Sequence, residues 1–413
     1  MRRAAGDTDF DCLIIGSGVI GTTMASLLIA RRLVARGRVA IVADRPRPAA
    51  APQSDWDLRV FALSRASQRV LDICSVWRAL PAQRQFPYER MCVWDEHGAA
   101  RGRGALTFDC AELGEPNLGT IVDGAALQLQ CTRSAIAAGV VMIETGLDDL
   151  RIDAACVRAI LSDGREVSAR AMLGADGTES KARALLGIES AGHSYQQDAL
   201  IAHVRTAEPH ENTAWQRFLR TGPLAFLPLP DGRSSIVWSV KRAEAGRLRA
   251  LDAGAFDAAL TQASGGVLGA CESTTPVASF PLKLEYALDY VRPRAVLLGD
   301  AAHVVHPMAG QGLNLGLLDC ASLASVWEEA GGGDVFGEQA PLRRYERWRR
   351  GENLLAASAL DGLERLFGSD NPALSRLRVF GLDAVGRVPF IKRQLARRAM
   401  GLAGDLPEFL NSQ

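Results

Sequence analysis

A glycine triplet set between a strand and a helix constrains this chain more than any other feature. Phe10-Asp-Cys-Leu-Ile-Ile15 reads as a short buried strand, and Gly16-Ser-Gly18-Val-Ile-Gly21 follows without a spacer. Thr22 to Val34 is apolar and predicts a helix. Arg38 to Ala43 predicts a second strand, ending at Asp44. Each glycine has its own use: Gly16 permits a tight turn, Gly18 lets a pyrophosphate reach the backbone, and Gly21 lets the helix pack on the strand. The helix N-terminus then turns its free N–H groups on the phosphates, while Asp44 accepts hydrogen bonds from ribose hydroxyls. Strand, turn, helix, strand and acid together form the layout of a dinucleotide-binding βαβ unit.

Cys12 to Ala30 carries no formal charge and lies behind Arg2-Arg3, so an export signal or a membrane helix has to be weighed. Asp7, Asp9 and Asp11 stand where a signal would be basic, three glycines interrupt the run, and it divides into a strand and a helix. A cytoplasmic location is expected. Lys+Arg and Asp+Glu number 47 each, giving zero formal net charge, and no nucleic-acid partner is expected. None of the 8 cysteines forms a C-x-x-C pair, which removes the common zinc and thioredoxin spacings and leaves free buried thiols. The 413 residues allow two or three domains at roughly 100–200 residues each.

Two later motifs carry chemistry. Gly174-Ala-Asp176-Gly177 closes a strand and precedes Ser180 and Arg183. Leu297-Leu-Gly299-Asp300-Ala-Ala-His303-Val-Val-His306-Pro307-Met-Ala-Gly310-Gln-Gly312-Leu-Asn314-Leu-Gly316 delivers an acid at the carboxyl end of a buried strand, then a glycine-rich turn into a helix from about Gly312 to Glu329. His303 and His306 lack a nearby acid or thiol in the sequence to complete a metal set, so no metal is expected and both read as packing or backbone-bonding histidines. Other predicted helices are 65–80, 123–138 and 244–264. Leu224–Leu229 and Ser235–Val240 flank a Pro230-Asp-Gly232 hairpin turn.

In that order and spacing, the Gly16/Gly18/Gly21 turn, Asp176-Gly177 and Gly299-Asp300 resemble the three fingerprints of the class A flavin monooxygenases of the para-hydroxybenzoate hydroxylase type. The chain resembles still more closely the ubiquinone-biosynthesis hydroxylase family, through Asp57-x-Arg59-x-x-Ala-Leu-Ser64, Ala214-Trp-Gln-Arg-Phe218, Gly222 to Leu229, Val237-Trp-Ser239, His306 to Gly316, Asn353 to Phe367 and Ala399-Met-Gly401. It departs from that family at Asp44 (commonly Glu), Asp123-Gly124 (commonly Glu-Asn) and Met308 (commonly Leu).

The resemblance implies an α/β fold. A Rossmann-like FAD-binding domain would be assembled from 1–75, 100–190 and 284–330. A mixed-sheet substrate domain would be inserted from 76–99 and 191–283, with a helical C-terminal region over 331–413. It also implies that Gly16, Gly18, Gly21 and Asp44 hold the ADP half of FAD. Arg59 and Gln128 would lie near the pyrophosphate and flavin, Asp176 would support FAD and reductant, and Asp300 would bind the ribityl chain. Pro307, Gly310, Gly312, Leu313 and Asn314 would line the isoalloxazine. The sheet face with Phe226, Leu227 and Trp238 would roof an apolar substrate cavity, ordinary core being the alternative for these three.

The implied reaction is hydroxylation of a polyprenylated phenol in ubiquinone biosynthesis, through a flavin C4a-hydroperoxide formed with O2. NAD(P)H is the implied reductant, with ferredoxin-type donors left open, and no general base is identified. A class A flavin hydroxylase or epoxidase of another aromatic or apolar substrate, and a non-catalytic FAD-binding assembly subunit, remain alternatives. Peripheral contact with the inner face of a membrane, or with a ubiquinone-biosynthesis complex, is expected through 388–402, where Lys392, Arg393, Arg397 and Arg398 are mixed with apolar residues.

Overall fold

The structure, a computed structural model, describes residues 8–44, 55–306, 308–369 and 372–410. Its first sheet has eight strands. The main path runs β18 (Val291–Arg292), β19 (Ala295–Leu297), β11 (Glu166–Gly174), β1 (Phe10–Ile15), β2 (Val39–Val42) and β8 (Val141–Ile143). β1 lies parallel to both β2 and β11, and the antiparallel pair β9 (Leu147–Ile152) and β10 (Val157–Leu161) extends from β11. Helices α1 (Val19–Ala30), α2 (Arg65–Ile73), α3 (Gly124–Ala138) and α7 (Gln311–Glu329) pack over one face. The β9–β10 pair and α4 (Lys181–Leu185) pack over the other. Cys12 and Ile14 point into the first layer, Leu13 and Ile15 into the second. A strand buried on both faces must be apolar at each position, and each such side chain contributes about 1.5–3 kcal/mol.

The second sheet has nine strands: β20 (His303–Val304), β17 (Ala278–Ala287), β12 (Ser190–Thr206), β15 (Ser234–Lys241), β14 (Gly222–Pro228), β13 (Thr213–Leu219), β5 (Arg90–Asp95) and β6 (Ala105–Asp109), with β16 (Cys271–Ser273) beside β12. Helices α5 (Arg242–Arg249) and α6 (Ala253–Ser264) cover one face, over Leu200, Trp215, Phe226 and Trp238. On the opposite face Phe218 and Val93 pack with Met308, with Phe367 of α8 (Gln339–Phe367) and with Leu382 of α9 (Pro372–Arg387). Helix α10 (Pro389–Ala399) follows. A third sheet joins β3 (Val60–Leu63), β7 (Gly119–Asp123) and β4 (Gln85–Tyr88).

Several boundaries differ from those the sequence predicts. β6 lies within the expected FAD segment yet pairs with β5 in the second sheet, because the short 96–104 connection folds the two into a hairpin. β4 goes the other way, pairing with β7. The first helix starts at Val19 and stops at Ala30, before Arg32 takes a positive φ of 58°. The helix from 65 ends at Ile73, and Ser75 turns left-handed. The 244–264 segment is two helices, because Asp252 caps a new N-terminus by accepting from Ala255 N. All eight cysteines are free and buried.

Candidate active site

The three glycines divide their work by geometry. Gly16 has φ +109°, and a Cβ there would meet the Ala175 carbonyl oxygen at 2.3 Å. A Cβ on Gly21 would fall 2.0 Å from the Gly16 oxygen, so only glycine lets α1 pass this close to the turn. At Gly18 an added Cβ meets nothing within 4 Å. Gly18 is also the N-cap of α1, with no side-chain cap and no acid in the first turn. An open backbone at an uncapped helix N-terminus suits a pyrophosphate. Gln128 Nε2 donates to the Ser17 carbonyl at 2.8 Å, so its role is to hold the turn. Asp44 is exposed at the end of β2, close enough to Gly146 that a Cβ there would meet Asp44 Oδ1 at 2.3 Å.

The second half of the site is built around Asp300. It lies in a turn of 3-10 helix at the end of β19. Burial pushes its carboxyl up, while His303 and Arg59 pull it down. No hydrogen bond to its carboxylate is found among the described residues, which leaves an acceptor for a polyol. The Arg59 guanidinium is exposed and lies over the Phe61 ring at 5.0 Å. Beyond Asp300, Gly310 in the left-handed region (φ +61°) is the N-cap of α7, again without a side-chain cap. The N–H groups at Gly312, Leu313 and Asn314 therefore open the helix. The Asn314 side chain is fully engaged elsewhere. Its Oδ1 accepts from Ser64 N (2.9 Å) and Ser67 Oγ (2.6 Å), and its Nδ2 donates to the Ala62 and Gly310 carbonyls (2.9 Å each). Only its backbone is left for a ligand. Pro307 lies outside the described residues.

Asp176 is used inside the protein: its carboxylate accepts from Ser180 Oγ and, at 2.9 Å, from Ala182 N. Arg183, one turn on, donates to the Ala301 carbonyl (3.0 Å) and to Glu285 (2.7 Å), binding this loop to the Asp300 turn and to β17. Phe226 and Trp238 are not cavity walls. Residues 224, 226, 236 and 238 share the face packed against α5 and α6, where Phe226 is 1% exposed. Leu227 faces the other way and is half-buried, as the two-residue period of a strand requires.

Sequence reasoning missed the buried acid beneath the site. Asp319, on α7 and 0% exposed, accepts from His303 Nε2 (2.6 Å), Gly299 N (3.0 Å), Arg349 Nε (2.8 Å) and Asn353 Nδ2 (3.0 Å). Burial alone would raise its carboxyl, but His303 and Arg349 hold it well below the usual range. The available signal was a lone acid in the apolar run from Leu313 to Trp327. His303 therefore bonds a carboxylate, while His306 Nδ1 accepts from Met308 N at 3.3 Å. No group of three or more metal-ligating side chains is found among the described residues.

These features fit FAD: two uncapped helix N-termini, an open glycine at the first of them and a carboxylate with spare acceptor capacity. Residues 134–351 match the family model described as FAD binding domain. The chain is 36% identical to the ubiquinone hydroxylase UbiL of Rhodospirillum rubrum over 408 residues, covering 98% of this chain and 92% of that protein. It is 32% identical to the 3-demethoxyubiquinol 3-hydroxylase of Escherichia coli, covering 94% and 98%. The p-nitrophenol 4-monooxygenase PnpA of Pseudomonas putida shares the fold at TM-score 0.74 and 16% identity, over 98% of this chain and 99% of that one. The chain is an FAD-dependent monooxygenase of the ubiquinone-hydroxylase family.

Proposed function

We propose that this protein hydroxylates the aromatic ring of a prenylated phenol in ubiquinone biosynthesis, using O2, FAD and a nicotinamide reductant. The observation that supports it most is the unspent Asp300 carboxylate beside Gly299, where the starts of α1 and α7 pack together. Bound FAD supplies the oxygen activation and transfer. The chain's part is to bind, orient and keep water out. The α1 N-terminus and Gly18 would take the pyrophosphate, Asp44 the ribose and Asp300 the ribityl hydroxyls. The α7 N–H groups would meet the electron-rich edge of the flavin ring. Phe218 and Met308 close one side with apolar contacts.

The test is to reconstitute the purified protein with FAD, NAD(P)H and a farnesylated phenol and to follow product mass. A product heavier by one oxygen is expected. Flavin that never binds, or hydroxylation of small phenols alone, would overturn the reading.

No helix among the described residues is long and apolar enough to cross a membrane. The prenyl tail of such a substrate nevertheless has to come from a bilayer. Phe380 (68% exposed), Val388, Phe390 (65%), Ile391 and Leu395 give α9 and α10 an uncovered apolar surface. Lys392 and Arg398 are paired with Glu112 and Glu352, so apolar contact is a better basis for peripheral binding than charge. The same surface would suit the partner proteins of a biosynthetic complex. Co-sedimentation with vesicles should drop severalfold in Phe380→Ser/Phe390→Ser; unchanged binding would count against membrane contact.

A further inference from the structure

Four buried polar atoms without hydrogen-bond partners, on Tyr195, Gln197, His306 and Asp361, belong to side chains gathered where β12, α8 and the segment leading to Met308 come together. The pairing of β12 with β17 breaks its register between Ser194 and Asp198, and Gln196 takes a φ of +55°, unusual for a residue other than glycine. This bulge re-aims the side chains on either side of it. Gln197 is 6% exposed and donates from Nε2 to Glu364 at 2.8 Å, while its Oε1 has no partner. It shares the sheet face of Ala199 and Ile201, opposite the one packed under α5 and α6. Tyr195 sets its ring edge-on to His306, with centroids 5.0 Å apart, and its buried hydroxyl has no partner. His306 is 1% exposed. Its Nδ1 accepts the Met308 N–H, which leaves the proton on Nε2, and Nε2 has no partner.

Each such atom costs about 1–3 kcal/mol when left unpaired. Four of them at one junction, beside the segment that runs into α7, leave polar capacity for a ligand atom. The set comprises one donor (His306 Nε2–H), two acceptors (Gln197 Oε1 and Asp361 Oδ1) and one group that can be either (Tyr195 Oη). An oxygen that accepts and donates at once satisfies them, and a phenol hydroxyl is such an oxygen. Surrounding charge selects against an anion. Asp361 and Glu364 face the Tyr195 hydroxyl, which burial together with Asp361 keeps protonated. Burial holds His306 neutral, its pKa down at about 4. Arg365 at 2.9 Å and His193 at 3.4 Å are both paired to Asp361.

We propose that Tyr195, Gln197 and His306 form the subsite that grips a ring hydroxyl of the substrate and so fixes which ring carbon meets the flavin. This rests on the aromatic hydroxylase reading above. The test compares binding of 2-farnesylphenol and its methyl ether to FAD-loaded protein, by perturbation of the flavin absorbance. The native protein should prefer the phenol about 10-fold or more, because the ether cannot donate to Gln197. Gln197→Leu should cut that preference about 5-fold or more, with ether affinity and FAD content unchanged. Tyr195→Phe keeps the ring packing, removes a hydroxyl that can donate to either oxygen, and should weaken phenol and ether together. Preference retained in Gln197→Leu, or both affinities undiminished in Tyr195→Phe, would overturn the subsite. A native protein that binds neither compound would instead overturn the substrate reading itself.

Discussion

At the scale of single residues, Gly18 and Gly21 look interchangeable in the sequence and are opposites in the structure. Gly21→Ala must push its new carbon out of a 2.0 Å approach to the Gly16 carbonyl oxygen, and no flexible side chain can absorb the shift. The apo-protein should lose stability at the upper end of the roughly 1–3 kcal/mol that overpacking costs. Gly18→Ala meets open space, at φ −66° and ψ 177°, a backbone conformation open to alanine. Its apo-protein should melt within about 0.5 kcal/mol of the native one. FAD should nevertheless bind at least 10-fold more weakly, since the added carbon occupies the side from which a pyrophosphate would approach. Denaturant melts of the apo-proteins and fluorescence titration with FAD measure both halves. Equal destabilisation by the two substitutions, or undiminished FAD affinity in Gly18→Ala, would remove the assigned division of labour.

At the scale of elements, α7 shows what the sequence makes legible and what it hides. Its glycine-rich entry and apolar body are local patterns, so its start, its length and the exposed N–H groups could be read directly. The two polar residues inside it could not. Asn314 looks like a contact for the flavin, yet its side chain pins the helix to β3 and the start of α2 through three hydrogen bonds, with a fourth back to its own N-cap Gly310, at net values of about 0.5–1.5 kcal/mol each. Asp319 looks like an ordinary helical acid, yet its partners come from the Asp300 turn and from α8, 30 and 34 residues downstream in the latter case. Gly316 makes the approach possible, since a Cβ there would meet Ile20 Cδ1 at 2.8 Å. The misreading of Phe226 and Trp238 has the same origin. Alternation along β14 and β15 fixes that Phe226 and Leu227 point to opposite faces, but which face α5 and α6 cover is set by tertiary packing. Local periodicity is visible in one sequence; the partner across a long loop is not.

At the scale of the whole molecule, the question is what holds the helical tail to the second sheet, given that α9 and α10 leave large apolar side chains uncovered. One buried ion pair lies within that contact. Arg378 of α9 donates from Nε to Asp95 Oδ2 at 2.8 Å, with both side chains 1% exposed, and from Nη1 to the carbonyls of Leu366, Phe367 and Ser369. Asp95 ends β5, and its other oxygen accepts from His97 N at 2.9 Å. Removing Arg378 would leave a buried carboxylate uncompensated, at a cost of about 3–5 kcal/mol. Arg378→Ala should therefore release α9 and α10, with proteolysis near 370–400 rising by at least 10-fold. FAD loading should be unaffected, because α1, α7 and the Asp300 turn do not depend on this pair. Asp95→Asn/Arg378→Met removes both charges and should recover part of the protection, since it lifts the penalty of the orphaned charge but leaves the carbonyls of Leu366, Phe367 and Ser369 without their donor. Unaltered proteolysis in Arg378→Ala would show that apolar packing of Phe218, Phe367, Leu382 and Val385 suffices to seat the tail. FAD lost along with the tail would show that the two halves of the molecule are energetically one unit.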